Sequence, residues 1–254
     1  MNRLVSIDYS QIEMRLAAHH SQDPHMLQAF RADKDIHTFT ASLAYEIPEL
    51  AVDKKSQRDP LKRVGFGVLY GISAMGLCEQ FAAEGITHPG NGYLWTEQEC
   101  QELIYQWYGV FPMVRVMQTA FIQQAKQDGY VRDMFGRIRR IPGIYSAIRG
   151  VYNEATRWAM NTPIQGSAAG IIKVAMAKVR PVCVVLNQVP YVCRPLLQIH
   201  DELLFEISDE LLPNAALILR NVMETVIPLR VPVKCDIEIG DNWADMKAYK
   251  TEKE

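Results

Sequence analysis

The chain has no run of 18 or more apolar residues, so no segment reads as a membrane-spanning helix. Its opening, MNRLVSIDYS, holds too short an apolar stretch for a secretory signal and carries an Asp within it. Cysteine is scarce and odd in number: Cys78, Cys100, Cys183, Cys193 and Cys235 are widely spaced, and no CxxC pair occurs. That spacing supports neither a disulfide framework nor a zinc site, and points to a reduced, intracellular protein with its thiols in the core. Charge of one sign is lacking too. The formal net charge of −2 is not the basic balance of a small nucleic-acid-binding domain. Internal repeats and low-complexity tracts are absent.

What is present is enough apolar material for one substantial core or two joined ones: 48% of 254 residues are hydrophobic. Charge is unevenly placed. Residues 126–157 hold seven basic residues against three acidic ones, a local +4. Such a run is a solvated face unless other features call for a polyanion, when it becomes a surface for phosphates. The stretch LLQIHDELLFEI (196–207) reads as a hairpin, yet the Gly, Pro or Asn expected at its turn is missing. His200, Asp201 and Glu202 stand there instead. Adjacent carboxylates beside a hydrophobic sheet repel each other unless a cation compensates.

Periodicity places the other elements. RLVSID reads as a buried strand; SQIEMRLAAHH, DPHMLQAF and DIHTFTASLAY read as helices, and helical signals run from about Pro60 to Ala83. GITHPGNGYLW is loop. Thr96 and Glu99 form a capping box for a helix expected to stop before Gly109, and another helix runs from Pro112 to Gly129. GYVRDMFGRIRRIPG predicts a hairpin and loop. Two helices are expected over 147–161 and 166–179, broken at TPIQG. A helix over 209–226, a last strand VPVKCDIEI and a solvated tail KAYKTEKE complete the reading. Strands at both ends of a helical middle imply an α+β fold, with residues 3–8, the hairpin and 231–239 in one antiparallel sheet.

Four groups of residues offer chemistry. Asp8 ends the first strand, and Asp201 sits at the hairpin turn. An Asp after a strand is commonly a helix cap, but two carboxylates drawn from distant strands suit Mg²⁺, a hard cation that keeps several waters. Two such ions about 4 Å apart serve phosphoryl transfer. In RDPLKRVGFGVLYG, Arg58, Lys62, Phe66 and Tyr70 recur every four residues. On a helix that row drifts only about 40° per step and is about 18 Å long. Two cations followed by two rings match a nucleoside triphosphate laid lengthwise, phosphates on the cations and base on the rings. An amphipathic helix would show the same pattern, but Gly65, Gly67 and Gly71 each cost about 1 kcal/mol against Ala in a helix interior. Close approach or a bend is therefore expected there. His37, in DIHTFTA, assists a phosphate if cationic. Arg157, Asn161 and Gln165, again four apart, can bond base edges and phosphates.

Taken in order, DYSQIEMR (8–15), DIHTFTA, RDPLKRVGFGVLYG (58–71), FGRIRRIP, RWAMNTPIQGSAA and IHDELLFE (199–206) strongly resemble the polymerase core of family A DNA polymerases, the bacterial DNA polymerase I type. The resemblance covers residues 3 to about 244. It implies a partial right-hand polymerase fold: an antiparallel palm sheet in 1–57 and 141–254, and a mostly helical fingers subdomain in 58–140. It implies two bound Mg²⁺ ions, with Mn²⁺ as a substitute, held by Asp8, the Tyr9 carbonyl and Asp201, and Glu202 as an accessory acid. Gln11, Glu13, His37, Arg58, Lys62, Phe66 and Tyr70 would bind the incoming dNTP. Among these Glu13 fills the space of a ribose 2′-OH, and Lys62 donates a proton to the leaving pyrophosphate. Arg157, Asn161, Gln165 and His200 would contact the primer–template.

The resemblance departs at Gly65, where the family usually has Asn, and at Gly170, where it has Asp. Only seven residues precede Asp8, and the family's thumb, with its Thr-Gly-Arg motif, has no counterpart here; neither has its proofreading nuclease domain. The expectation is a template-directed DNA polymerase core acting on primer–template DNA and dNTPs. It would work as a split or truncated chain with a thumb-bearing partner polypeptide, in the cytoplasm and associated with the nucleoid. The competing readings are a single-subunit RNA polymerase, a metal-dependent nuclease and a non-catalytic assembly subunit of a replication complex.

Overall fold

The computed structural model describes residues 1–88 and 91–249. In chain order, β1 (Asn2–Tyr9) leads into α1 (Ile12–Ser21), α2 (Pro24–Arg31) and α3 (Ile36–Ala44). A π-type turn, Lys54–Arg58, precedes α4 (Asp59–Leu69); α5 (Ala74–Ala83), α6 (Glu97–Val110) and α7 (Pro112–Asp128) follow. The hairpin β2 (Tyr130–Arg132) and β3 (Ile138–Arg140) leads to α8 (Arg149–Leu186). Then come β4 (Cys193–Ile199), β5 (Glu202–Ser208), α9 (Leu212–Glu224), β6 (Cys235–Gly240) and β7 (Lys247–Ala248). No helix among the described residues is long and apolar enough to cross a membrane.

The chain divides into two compact units, Met1–Leu16 with Gln165–Glu254, and Ala17–Ile164. The first is built on a five-stranded sheet of order β4-β5-β1-β6-β7, and every pairing is antiparallel. β1 alternates as a half-buried strand must. Val5, Ile7 and Tyr9 are buried on one face, in register with Phe205, Leu203 and Ile237. α9 covers that face with Leu212, Ala215, Ala216, Leu219 and Met223, and the Tyr9 hydroxyl donates to the Met223 carbonyl at 2.8 Å. The opposite face is polar and carries the candidate site.

The second unit is helical. Asp23, fully buried, caps α2 by accepting from the His25 and Met26 amides and also accepts from Met113 N–H at the start of α7. The Thr96–Glu99 capping box forms as the sequence predicts. α7 opens on Pro112 and closes on Gly129 with φ +75°. The β2–β3 hairpin packs on a cluster of Ala125, Val131, Ile141, Ile144, Ala155 and Ala159.

Several boundaries differ from expectation. The expected break at TPIQG is absent: α8 runs unbroken through Pro163. Proline there removes one amide donor, and the Thr162 hydroxyl bonds the Trp158 carbonyl at 2.7 Å beside it. The division between the compact units nonetheless falls at 164/165, next to that proline. α6 continues through Gly109 to Val110, and β6 begins at Cys235 rather than at residue 231. Lys247 and Ala248 of the expected tail pair with β6; residues 250–254, and Pro89 and Gly90 of the expected loop, lie outside the described residues.

The glycines late in α4 and just after it serve the chain itself. A Cβ on Gly67 would lie 2.8 Å from Ile72 Cγ2, and Gly71 has φ +75° with a would-be Cβ 2.5 Å from Met160 Cε. Gly71→Ala is expected to lower stability by about 1–3 kcal/mol, since it adds left-handed strain to a contact that must move. The check is the urea midpoint at unchanged m-value; a midpoint equal to that of the parent chain contradicts it.

Candidate active site

In the sheet unit, antiparallel register brings acids together. Asp8, the penultimate residue of β1, pairs directly with Glu202 of β5 on one side and with Asp236 of β6 on the other. Residues directly opposite in a ladder share a face, so three carboxylates line up across the sheet. His200 and Asp201 form the two-residue turn between β4 and β5, and the Tyr9 amide donates to the Asp201 carbonyl at 3.3 Å. Strand pairing thus sets Asp8 between Glu202 and Asp236, and the Asp201 charge acts on it from the adjoining turn.

The backbone on both sides is strained. His200 has φ +50° and Gln11 has φ +53°, left-handed conformations that side-chain-bearing residues rarely adopt. Gln198 Nε2 bonds the His200 carbonyl at 2.6 Å. Arg15, only 5% exposed, donates to the Ser10 and Pro232 carbonyls, each at 2.7 Å, and so pins the β1–α1 turn to the chain entering β6. Ser6 Oγ donates to Glu202 Oε1 at 2.7 Å. A cavity of about 260 Å³ is lined by Ser6, Asp8, Glu202, Asp236, Glu238, Trp243 and Met246.

Burial, then the charges of Asp201, Glu202 and Asp236, push the Asp8 pKa from 3.8 up to about 7. Burial and Asp201 also raise Glu13 above the usual carboxylate range. Asp8 and Glu13 thus resist ionisation in the absence of a compensating charge. No group of three or more His, Cys, Asp or Glu converges as a metal-ligand set among the described residues. The Asp8–Asp201 carboxylates offer oxygen donors only, the set a hard cation with retained waters uses. Such a cation also meets the need that the raised Asp8 pKa expresses.

In the helical unit, Arg58 closes the π-type turn just before α4, whose first turn admits Pro60. Its guanidinium forks onto Asp35, with Nε to Oδ1 and Nη2 to Oδ2 both at 3.0 Å, and Nη1 reaches Asp59 Oδ1 at 3.0 Å. Asp35 is also the N-cap of α3, accepting from Thr38 N–H at 2.7 Å. Burial opposes its ionisation, but the bonds from Arg58 and Thr38 prevail and hold it well below the usual carboxylate range.

His37, in the first turn of α3, is 2% exposed, and its ring lies 5.6 Å from that of Phe66. Burial lowers its pKa to about 4, aided by Arg58 and Lys62 against the opposing pull of Asp35. A cationic His37 is therefore not what folding produces; the ring is neutral at pH 7. Its Nε2 has no hydrogen-bond partner among the described residues. Lys62 is exposed. Phe66, Tyr70, Gly71, Ser73, Gln80 and Arg157 border a cavity of about 430 Å³.

Asn161 keeps a buried Oδ1 without a hydrogen-bond partner among the described residues, whereas Gln165 and His200 are exposed in the sheet unit. The basic run proves to be interleaved with aromatics. Arg139 lies 4.6 Å over Trp158 and Arg132 lies 4.8 Å over Tyr130.

Sequence reading missed Ser6, Arg15, Asp35 and Asp236. A signal existed for two of them: CDIEI alternates acid and aliphatic residues, and Asp35 stands at a helix-cap position before IHT. For Arg15 and Ser6 nothing local marks the contacts they make across the fold.

Below about pH 4 both folded and unfolded Asp8 are protonated. Between pH 4 and 7 the unfolded chain ionises while the folded one holds its proton, so this group makes stability fall as pH rises. Asp8→Asn is expected to raise stability by about 1–2 kcal/mol at pH 8, after discounting for solvent screening, and to change nothing at pH 4. Millimolar Mg²⁺ should stabilise the parent chain at pH 8 and leave the variant unaffected. Denaturant titration at both pH values decides; a penalty independent of pH rejects the electrostatic account.

The sequence profile of DNA polymerase family A matches residues 1–245. The chain is 37% identical over 244 residues to the thermostable DNA polymerase I of Thermus aquaticus, covering 96% of this chain and 27% of that protein. It is 39% identical over 244 residues to DNA polymerase I of Geobacillus stearothermophilus, covering 96% of this chain and 26% of the relative. The chain thus spans about a quarter of the length of these relatives. Among solved structures, the polymerase domain of Pol1 from M. smegmatis, in complex with DNA primer-template and dNTP, superposes with a TM-score of 0.84 at 36% identity. That match covers 95% of this chain and 40% of the other. The α+β fold with its antiparallel sheet agrees with that likeness. The chain belongs to DNA polymerase family A.

Proposed function

We propose that this chain is the palm-and-fingers part of a template-directed DNA polymerase that adds dNTPs to a primer 3′-OH. The observation that carries the reading is the pairing of Asp8 with Glu202 beside the Asp201 turn, in a family of polymerases. Residues 1–57 and 141–254 are assigned to the palm and 58–140 to the fingers.

In the reaction the primer 3′ oxygen bonds the α-phosphorus, and the bond from that phosphorus to the bridging oxygen of pyrophosphate breaks. Asp8 and Asp201, with the Tyr9 carbonyl, would hold two Mg²⁺ ions, and Glu202 would assist. Mg²⁺ bound there supplies charge neutralisation at the attacking and leaving oxygens. Tyr9 suits its part: its ring is anchored in the core through the Met223 bond, so its carbonyl is held firmly.

Arg58 and Lys62 take the triphosphate, and Lys62 Nζ delivers a proton to the departing pyrophosphate. His37 serves as a neutral N–H donor, consistent with its lowered pKa and its unpartnered Nε2. Phe66 and Tyr70 stack on the nucleotide, and Gln11 contacts it. Glu13 excludes the ribose 2′-OH, which favours deoxynucleotides over the substrates of an RNA polymerase. Arg157, Asn161, Gln165 and His200 touch primer and template, and the arginines stacked on Tyr130 and Trp158 extend a surface fit for phosphates. A further polypeptide portion, corresponding to the part of the relatives this chain does not span, is proposed to hold the duplex.

Primer extension by the purified chain with dNTPs and Mg²⁺, alone and with that portion added as a second polypeptide, tests the reading. Extension is expected to fall at least ~10³-fold in Asp201→Asn, a loss of several kcal/mol of transition-state stabilisation. No extension in either mixture overturns the activity. Glu13→Ala should raise rNTP incorporation relative to dNTP by about 10-fold or more; unchanged sugar discrimination removes Glu13 from the sugar pocket.

A further inference from the structure

Cys78 of α5 and Cys100 of α6 lie outside the chemistry described above, and their sulfurs are 2.8 Å apart. That is far inside ordinary non-bonded contact and still longer than the ~2.05 Å of a disulfide bond. The two helices pack side by side in the helical unit. Cys100 is fully buried in the second turn of α6, whose start is fixed by the Thr96–Glu99 capping box. Cys78 is partly exposed. One thiol is thus open to a small reagent, and the other is held against it.

We propose that Cys78 and Cys100 form a reversible oxidation site, at which a low-molecular-weight disulfide converts the two thiols into an α5–α6 cross-link. In the first step the Cys78 thiolate attacks one sulfur of the reagent, forming a mixed disulfide and expelling one small thiol. In the second, the Cys100 sulfur attacks the Cys78 sulfur, loses its proton to solvent and expels the other half of the reagent as a thiol. The protein gives up two protons and two electrons, and the reagent's sulfur–sulfur bond is reduced to two thiols.

The order of attack follows from burial. Cys100 is buried and its thiol is pushed up first by desolvation and then by Cys78, so it resolves rather than initiates. The cross-link closes the segment that contains the Gly85 and Gly92 turns. It stabilises chiefly by restricting the unfolded chain.

No Lys or Arg lies between Arg63 and Arg115, so trypsin releases both cysteines on one peptide, residues 64–115, which contains no other cysteine. The test treats the folded chain with oxidised glutathione, blocks free thiols with iodoacetamide and weighs that peptide. The expected product carries no alkyl group and is lighter than the dithiol by two hydrogens. It reverts on reduction, and the oxidised protein melts about 5 °C or more above the reduced one. Cys78→Ser, a change at the partly exposed member, should leave folding intact and abolish the product. Recovery of the peptide doubly alkylated, or with glutathione retained on Cys78 and Cys100 alkylated, overturns the proposal. So does a product that forms only in urea. Cys183 and Cys193, also neighbours through a side-chain hydrogen bond, fall on other peptides and do not enter the readout.

Discussion

The pairing of β1 between β5 and β6 is the constraint on which the sheet unit's character depends. Register alone puts Asp8 opposite one acid on each side, and Asp201 follows because it precedes Glu202 in the turn. A slip of one residue would exchange the two faces, sending Asp8 into the α9 side and Val5, Ile7 and Tyr9 into water. The apolar alternation that stabilises the sheet is therefore the same device that fixes the carboxylates. Buried Val5, Ile7, Leu203, Phe205 and Ile237 hold the register, and the acids must accept the places left to them. The left-handed backbones of Gln11 and His200 flank those places, and Arg15 ties one of them down.

The helical unit arranges charge in the opposite sense. Its Arg58 is not an open cation but one half of a forked pair with Asp35, which also caps the helix bearing His37. An anionic ligand must compete with Asp35 for that guanidinium, so the pair both orients Arg58 and limits its affinity for weak anions. Because burial keeps His37 neutral, the unit presents fewer positive charges than its residue count implies. An anion bound there would meet directed donors more than bulk attraction.

Much of this was legible in the sequence because strand alternation, caps and four-residue spacing are local signals. The hairpin, the α6 capping box and the α7 limits all follow from such signals. What was not legible is long-range. TPIQG predicts a break because proline disfavours a helix interior, yet α8 passes through it, and the signal coincides with a division between compact units instead. The glycines near Phe66 do imply close approach, but the approaching groups are Ile72 and Met160 of the chain itself. His37 could not be assigned a charge from its neighbours in sequence, since burial decides it. The proximity of Cys78 to Cys100 depends on helix packing that no cysteine spacing encodes.

The acidic face also bears on stability. Burying Asp8 among Asp201, Glu202 and Asp236 opposes folding of the sheet unit at neutral pH, whereas Asp35 with Arg58 favours folding of the helical one. A ligand that binds the folded carboxylates and not the unfolded chain would reverse the first effect by mass action, in proportion to how far it exceeds its dissociation constant. The two units then respond differently to the same solution: rising pH weakens the sheet unit, an effect a bound divalent cation would offset, and leaves the Asp35–Arg58 pair intact. A net charge of −2 conceals this, because the function of such a chain depends on where the charges are forced together and not on their sum.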